Sequence, residues 1–340
     1  MQMTRSPSTG IGSPAPVHQF PELGFLAPDL RRVEEHLDGL VQSVVPQIPR
    51  VGRYLLRAGG KRLRPMLTLL SARLAAAEQG PVGLAAVGEM IHLASLLHDD
   101  VVDEGVTRRG QPTANRAFGN GLVVLVGDFC LASALKECTS SGVPGVTDAL
   151  ARAVTEMAEG EVLQLQHVGR LDTPIDIYMS VIEKKSAALI SWCCLAGGKS
   201  GDQRSSKALA DYGRSLGIAF QIADDILDYA GQESETGKAI AADLRGLKLT
   251  LPLLIAVERE PGLRPILERA WNEGLSDSEL GRTAAAVVQC GAMDAARAIA
   301  REHSQRAIEA LADIKTETEQ QVQARRALVE LATYVVERKQ

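Results

Sequence analysis

Two acidic clusters decide the fold that this sequence predicts. Residues 97–103 read LHDDVVD and residues 221–228 read QIADDILD, so each has the form Asp-Asp-x-x-Asp and follows a long apolar run. Because residues four apart share one face of a helix, the first and last aspartates of each cluster project together. Gathered carboxylates repel one another unless a cation lies between them. We therefore expect two acidic helices that face a cavity and hold Mg²⁺, which prefers oxygen ligands, against a diphosphate.

Composition narrows the class of protein. The 340 residues include 37 basic and 42 acidic side chains. The resulting net charge of −5 is small and gives no support for nucleic-acid binding. Apolar residues make up 45% of the chain, which is enough to bury a large core. Abundant alanine and leucine favour helix, and no strand alternation is evident. No apolar run reaches the ~20 residues that span a bilayer, so no transmembrane segment is expected.

The cysteines and the first residues indicate the compartment. The five cysteines are scattered, and no pair has the spacing of zinc ligands. Such cysteines in apolar contexts are typical of a reducing environment, so we expect buried thiols and a cytoplasmic protein. Residues 1–28 are rich in Pro, Ser, Gly and Thr and lack the apolar core of a signal peptide, so they are predicted to be a flexible tail.

The rest of the chain, residues 29–340, is predicted to be one all-α domain. Apolar residues recur there at helical spacing, and no fixed-period repeat is present. The first cluster ends one long predicted helix and the second ends another. A further helix begins at Pro252, and the others are expected at 29–44, 51–58, 66–77, 82–103, 113–118, 121–138, 144–166, 172–197, 203–230, 276–290, 292–313 and 316–337.

Basic segments accompany both acidic clusters. Arginine presents a planar fork to phosphate and lysine a point charge, so two diphosphates are a better match than a simple cation store. One diphosphate would be held through metal and one directly by basic side chains. A single Asp-Asp-x-x-Asp or Lys-Arg cluster is usually exposed surface, but two copies with basic partners argue against that interpretation. These cations are Lys61, Arg62, Arg64, Arg108, Arg109, Lys185, Lys238 and Lys248.

Helical spacing selects further candidates. His92 lies seven residues before Asp99, about two turns, and shares its face, whereas His98 points about 100° away. His92 is therefore the better candidate for a phosphate contact. On the second helix, Gln221 lies one turn before Asp225, where it can donate to a diphosphate oxygen or bridge two helices.

Taken together, these segments resemble the trans-isoprenyl diphosphate synthases, the polyprenyl synthetase family, and most closely its long-chain (octaprenyl and polyprenyl) members. The matching segments run in family order over about 200 residues, and the helix pattern matches over about residues 26–340. They are GGKRLRP at 59–65, the first cluster with RRG at 108–110, KSA at 185–187, FQ with the second cluster at 220–228, TGK at 236–238, and DL…KLTLP at 243–252.

The resemblance implies a single-domain isoprenoid synthase bundle with a central cavity, and a homodimer. It implies Mg²⁺-dependent, head-to-tail condensation of an allylic diphosphate with isopentenyl diphosphate, with three Mg²⁺ per active site. Asp99 and Asp103 would bind two of these ions and Asp224 the third, and the remaining members of the metal set are Asp100, Asp225 and Asp228.

The resemblance also assigns substrate contacts. The allylic diphosphate would be steadied by Arg108, Lys185 and Lys238, and isopentenyl diphosphate would be bound by Lys61, Arg64, His92 and Arg109. Ser186 and Gln221 would lie along the reacting end, and Lys248 would help close the site. The residues expected to carry catalysis are Asp99, Asp103, Asp224, Lys185 and Gln221. Two departures from the family are Ser186 in place of threonine and Leu247 in place of the glycine before Lys248.

Product length is expected to depend on the residues one turn below Asp99. These are Ala94 and Ser95, both small, whereas an aromatic there resembles a short-product enzyme. A long-chain product is therefore expected. The alternatives are a cavity floor on another helix (122–126 or 157–163) and a geranylgeranyl or farnesyl diphosphate synthase. More remote alternatives are a non-catalytic partner subunit and a class I terpene cyclase.

Overall fold

A computed structural model describes residues 21–108, 110–230, 242–246 and 248–338. Its only strands in these ranges form a two-residue hairpin, β1 (Thr107–Arg108) and β2 (Gln111–Pro112), so the all-α prediction is confirmed. None of the helices described is both long and apolar enough to cross a membrane. The helices are α1 (Ala27–Leu40), α2 (Gln47–Arg57), α3 (Leu63–Leu74), α4 (Val82–Val102), α5 (Ala114–Phe118), α6 (Asn120–Ser140), α7 (Val146–His167), α8 (Ile175–Ile182), α9 (Ala188–Lys199), α10 (Ser206–Ala230), α11 (Ala242–Arg245), α12 (Leu251–Arg259), α13 (Leu263–Glu273), α14 (Asp277–Gln289), α15 (Ala292–Ala310) and α16 (Glu319–Glu337).

The start of the described chain differs from the predicted tail. Pro21–Leu26 forms a 3₁₀ helix that leads directly into α1. Its Leu23 and Leu26 are 1% and 0% exposed and belong to the main core. The predicted tail therefore extends too far along the chain. Residues 21–28 belong to the helical bundle, because these two leucines fill its core. The remainder of the predicted tail lies outside the described residues.

Helix α10 is the centre of the bundle, because two apolar cores meet on it. One core contains α1 to α4, α6, α7, α9 and α16, and the other contains α8 and α12 to α15. Leu209, Tyr212 and Leu216 of α10 enter the first, and Ile222 and Ile226 enter the second. A helix buried on two sides is held rigidly, so the acidic cluster at its end has a fixed position.

Close packing of α9 on α10 depends on glycine. A Cβ at Gly213 would lie 2.8 Å from the Ile190 carbonyl oxygen, and one at Gly217 would lie 2.6 Å from Ala187 Cα. Real Cβ atoms do not approach that closely, so any other residue would push the helices apart. These glycines bring the segment before α9 against the helix that carries the second cluster.

The predicted helix at 172–197 is interrupted at the site. Helix α8 passes into a π-helical turn, Glu183–Ala187, before α9 begins. A Cβ at Gly160 of α7 would lie 2.5 Å from the Lys185 backbone nitrogen, so α7 packs closely on this turn. Single π turns inside helices occur often at functional sites, and this one carries Lys185 and Ser186.

Candidate active site

The first acidic cluster lies at the C-terminal end of α4. Burial raises the pKa of Asp99 to about 6, with Glu161 and Asp103 adding to the increase and Lys185 opposing it. Lys185 from the π turn forms an ion pair with Glu161 of α7. Three carboxylates and one lysine therefore lie close together, which is a suitable environment for a divalent cation or a phosphate.

The second aspartate of this cluster has a different environment. Asp100 is 1% exposed and accepts hydrogen bonds from Arg108 Nε (3.0 Å) and from the Ala114 backbone nitrogen (2.9 Å). Arg108 Nη2 also lies 2.9 Å from the same Asp100 oxygen. Asp100 thus ties the end of α4 to the β-hairpin and to the start of α5, and both of its oxygens already have donors.

The second cluster is built in the same way. Asp225 accepts a hydrogen bond from the Tyr178 hydroxyl (2.7 Å) and one from the Leu251 backbone nitrogen (3.3 Å). Burial raises the pKa of Asp225 to about 8, although the Tyr178 hydrogen bond acts in the opposite direction. Asp225 thus ties α10 to α8 and to the start of α12.

The other two aspartates of the second cluster face different partners. Asp224 forms an ion pair with Arg338, which also donates to the Phe220 carbonyl oxygen (3.2 Å). Burial and the nearby Arg338 lower the pKa of Lys61, while Asp224 acts to raise it, so Lys61 lies near this pair. Asp228 accepts a hydrogen bond from the Asp243 backbone nitrogen (3.0 Å).

Lys248 connects the two clusters. Its Nζ lies 3.8 Å from an Asp103 oxygen and 4.0 Å from an Asp243 oxygen, and its backbone nitrogen donates to the Asp243 carbonyl (2.8 Å). Asp243 in turn is held by Asp228. The segment after α10 therefore reaches the end of α4, and Lys248 lies at the site despite the leucine that precedes it.

The basic turn, residues 61–64, joins α2 to α3 and includes the first two residues of α3. The Arg64 side chain is desolvated, which lowers its pKa, and its Nε is buried with no hydrogen-bond partner among the described residues. A Cβ at Gly88 of α4 would lie 3.7 Å from Arg64 Cβ, so the turn packs directly on α4. Arg64 thus has a buried donor that a diphosphate oxygen would satisfy.

Of the two histidines of α4, His98 lies off the face of the acidic cluster, as its spacing predicted. His98 Nε2 lies 3.3 Å from the Val124 carbonyl oxygen and 3.3 Å from an Asp128 oxygen, so it packs on α6 away from the acidic cluster. His92 is partly buried, and its carbonyl accepts a hydrogen bond from Ser95 Oγ (2.9 Å). Ala94 is 4% exposed and Ser95 is partly buried.

Ser186 and Gln221 are brought together by the packing of the π turn on α10. Ser186 Oγ donates to Gln221 Oε1 at 2.6 Å. This bond fixes the side-chain amide and leaves its NH₂ group to donate elsewhere. Both roles considered for Gln221, bridging helices and contacting a diphosphate, are compatible with this arrangement.

Three residues at the site were not identified from the sequence. They are Glu161, which pairs with Lys185; Tyr178, which donates to Asp225; and Arg338, which pairs with Asp224. Only Glu161 could have been suspected from the sequence. It follows Gly160, and a glycine in the middle of a long helix indicates close packing on another element. Nothing in the spacing links Arg338 to a residue 114 positions earlier. Arg109, Leu247 and Lys238 lie outside the described residues.

The donor set suits Mg²⁺. All candidate ligands are carboxylate oxygens, which hard divalent cations prefer. Within the described ranges, no three His, Cys, Asp or Glu side chains converge closely enough to hold an ion by themselves. Glu161 Oε1 is buried without a described partner beside Asp99. The residues therefore fit ions that take one or two protein oxygens each and complete their shell with water and diphosphate.

An all-α bundle in which two Asp-Asp-x-x-Asp helix ends and several cations share one site defines an isoprenoid synthase class of protein. Residues 45–288 match the model of the family described as polyprenyl synthetase. The chain belongs to this family, as its motifs predicted. The family is metal-dependent.

Related sequences and solved structures agree with this family assignment. Octaprenyl diphosphate synthase of Escherichia coli (strain K12) is 40% identical over 289 residues, which cover 84% of this chain and 90% of the relative. The crystal structure of a decaprenyl diphosphate synthase from Rhodobacter capsulatus has a TM-score of 0.86 at 42% identity and covers 94% of this chain and 99% of that one. A polyprenyl synthase from Caulobacter crescentus CB15, complexed with calcium and isoprenyl diphosphate, has a TM-score of 0.87 at 38% identity and covers 94% and 97%. The likeness is to long-chain synthases, which confirms the predicted branch of the family.

Proposed function

We propose that this chain is a long-chain trans-prenyl diphosphate synthase that adds isopentenyl diphosphate head to tail to an allylic diphosphate. The observation that carries the proposal is the position of Lys248 between the two acidic clusters. Its ammonium group lies between Asp103 of the first cluster and Asp243, which is bonded to Asp228 of the second. The two acidic clusters therefore border one site, which is the arrangement that metal-assisted departure of a diphosphate requires.

Each diphosphate has its own set of cations. Arg108 and Lys185 lie beside the first cluster and would hold the allylic diphosphate. Lys61 and Arg64 lie in the basic turn and would hold isopentenyl diphosphate, and the unpartnered Arg64 Nε supports this. Arg338 is added to this second group because it lies near Lys61. The assignments of His92, Arg109 and Lys238 stay predictions.

The metal set divides by position within each cluster. Asp99 and Asp103 would hold two Mg²⁺ ions and Asp224 a third, and these ions would neutralise the charge that develops on the departing pyrophosphate. Asp100 and Asp225 belong to the structural framework, because their oxygens are bonded to neighbouring elements. Asp228 combines the two roles, since it also accepts the Asp243 backbone N–H.

The chemistry needs no side-chain nucleophile. The allylic C–O bond breaks and its electron pair leaves with pyrophosphate, and the isopentenyl double bond attacks the resulting carbocation to form the new C–C bond. A proton is then lost to the pyrophosphate, and a new double bond forms. The cations around Asp99 stabilise the leaving group, and charge stabilisation of this kind is usually the largest catalytic contribution. Gln221, which accepts a hydrogen bond from Ser186, would orient the reacting end.

The growing chain would extend along α4, away from Asp99. Ala94 and Ser95 offer no bulky block one turn below it, which supports a product longer than geranylgeranyl diphosphate. Ser95→Phe is expected to shorten the product with little change in initial rate, because a ring would fill the path while leaving the metals unaltered. Chromatography of the products measures this, and an unchanged length would place the floor on α6 or α7.

An apolar surface supports the homodimer. Val124 and Leu125 of α6 and Val162 and Leu165 of α7 are exposed, and Val168 follows just after α7. Consecutive helices joined by a short link are antiparallel neighbours, so these side chains lie at the same end of the pair. A second copy of the chain would cover this patch, which is unusual on a monomer surface.

A cytoplasmic location is supported by the cysteines. All five are free, and four of them are buried. Burial raises the pKa of Cys193 to about 12, so this thiol is unreactive. Buried structural thiols of this kind are typical of a reducing compartment.

Purified protein with Mg²⁺, radiolabelled isopentenyl diphosphate and a series of allylic primers tests the proposal. The expected result is incorporation of label into products longer than geranylgeranyl diphosphate. Products that stop at farnesyl or geranylgeranyl length would support the short-chain alternative. Absence of incorporation with every primer would overturn the enzyme assignment in favour of a non-catalytic subunit.

A further inference from the structure

The three cations of the basic turn are not equivalent. Lys61 is exposed, and Arg64 has a buried nitrogen without a described partner. Arg62 lies between them, but its side chain is only 9% exposed and all of its guanidinium nitrogens have acceptors. It therefore has a different role from the residues on either side.

The backbone at Arg62 is unusual. Its φ and ψ are 48° and 36°, in the left-handed region that residues other than glycine seldom adopt. It is also the residue before α3, and its carbonyl accepts the Met66 N–H at 3.1 Å. A backbone of this kind persists only where the surrounding structure holds it. The side chain provides that hold.

Arg62 is clamped to three helices. Its Nε and Nη2 donate to Glu34 of α1, the second at 3.1 Å, and its Nη1 donates to Glu89 of α4 at 2.8 Å. Nη2 also donates to the Leu56 carbonyl of α2 at 3.1 Å. We call these four residues the Arg62 clamp. The Glu89 side chain is 9% exposed, so the clamp is largely shielded from water.

The clamp fixes the basic turn relative to α4. Glu89 lies three residues before His92 on the helix that ends in the first acidic cluster. One residue earlier, Gly88 also faces the turn, since a Cβ there would lie 3.7 Å from Arg64 Cβ. The distance between the turn and the metal-binding end of α4 is thus determined by the clamp, and shifts of about 0.5 Å matter for binding geometry.

We propose that Arg62 is a positioning residue for isopentenyl diphosphate. It contacts no substrate, and through the clamp it holds Lys61 and Arg64 where that diphosphate binds. The inference rests on the proposed function, in which those two residues bind isopentenyl diphosphate. The allylic diphosphate is held by other elements, the β-hairpin and the π turn, so loss of the clamp affects one substrate and spares the other.

Arg62→Gly tests this directly, because glycine accepts the left-handed backbone while the whole side chain, with its guanidinium group, is removed. The KM for isopentenyl diphosphate is expected to rise about tenfold, while the KM for the allylic primer changes less than about twofold. Arg62→Lys keeps a charge but loses the planar fork, so it is expected to give a similar rise. Both constants come from initial rates of label incorporation with the other substrate saturating.

Glu34→Gln weakens the same clamp from α1. It is expected to raise the isopentenyl diphosphate KM about threefold, since Glu89 and Leu56 still accept from Arg62. Asp29→Asn is the matched control, because Asp29 is also on α1 and pairs with Arg73 of α3 at 2.8 Å. It is expected to leave the ratio of the two KM values unchanged, even where thermal stability falls equally.

Lys61→Ala separates the two proposals. If it raises the isopentenyl diphosphate KM but the Arg62 and Glu34 variants raise both KM values equally, or neither, the clamp has no positioning role. If Lys61→Ala itself leaves that KM unchanged, the substrate assignment in the proposed function is wrong. Where Arg62→Gly does not fold, Glu34→Gln and its Asp29 control decide the question alone.

Discussion

The two acidic clusters share one construction but differ in what their second aspartate holds. Asp100 bonds to Arg108 and to the first backbone nitrogen of α5, and Asp225 bonds to Tyr178 and to the first backbone nitrogen of α12. Each therefore joins a helix end to the start of a later helix. The difference is in the side-chain donor, which is a cation at Asp100 and a neutral hydroxyl at Asp225.

The three aspartates of each Asp-Asp-x-x-Asp motif therefore have unequal roles. We propose the first and last aspartates as metal ligands, and the second anchors the segment that brings the next basic group. At the first cluster this segment carries Arg108, and at the second it leads to Lys248. The side-chain donor is a cation at Asp100 and a neutral hydroxyl at Asp225. A negative charge on the carboxylate therefore matters more at Asp100 than at Asp225.

The largest effect is expected at the first aspartate of each cluster. Asp99→Asn should lower kcat/KM by about 10³-fold and Asp224→Asn by about 10²-fold, because the first cluster is proposed to hold two ions and the second one. Initial rates at saturating Mg²⁺ measure both. Equal losses would contradict the unequal division of the metals.

Substitution of the second aspartate is expected to lower the free energy of unfolding by different amounts in the two clusters. Asp100→Asn should lower the free energy of unfolding by about 2 kcal/mol, because it leaves the Arg108 guanidinium without its carboxylate. This value allows for the partial exposure of Arg108, which weakens the ion pair. Asp225→Asn should cost about 1 kcal/mol or less, since an amide oxygen still accepts from a neutral hydroxyl. Urea unfolding of both variants gives the comparison, and a greater loss at Asp225 would overturn it.

Arg338 distinguishes the second cluster from the first, because it brings the end of the chain onto Asp224. Arg338→Gln is expected to raise the KM for isopentenyl diphosphate about tenfold, as a charge-assisted contact is lost. The exposed Arg326, on the same helical segment and paired with Glu330, provides a control in Arg326→Gln. An effect of equal size in the control would show that only the stability of α16 had changed.

A last effect concerns the pH dependence of stability. A carboxyl whose pKa is about 8 when folded and 3.8 when unfolded holds its proton more tightly in the folded state. It therefore favours folding at low pH, and this contribution is lost as the pH rises from about 4 to about 8. In metal-free protein, Asp225→Asn should become more stable relative to the wild type as the pH increases. Unfolding curves at several pH values in EDTA measure the difference, and a pH-independent difference would contradict it.

Much of this site could be predicted because its chemistry is local in sequence. The four-residue spacing placed Asp99 with Asp103, and helical spacing placed His98 off their face. Tertiary contacts left no such pattern. Arg338 reaches Asp224 only because α16 packs beside α10, and Glu161 meets Lys185 only because a π turn interrupts the helix predicted at 172–197. The buried Leu23 was missed because the polar residues before it resembled a tail.

The division of labour within the clusters is tested most directly by a crystal structure with Mg²⁺ and an unreactive allylic thiodiphosphate. We predict Mg²⁺ in contact with oxygens of Asp99, Asp103 and Asp224. Asp100 should still accept from Arg108 and the start of α5, and Asp225 from Tyr178. Direct coordination of a metal ion by Asp100 or Asp225, with those hydrogen bonds broken, would contradict it.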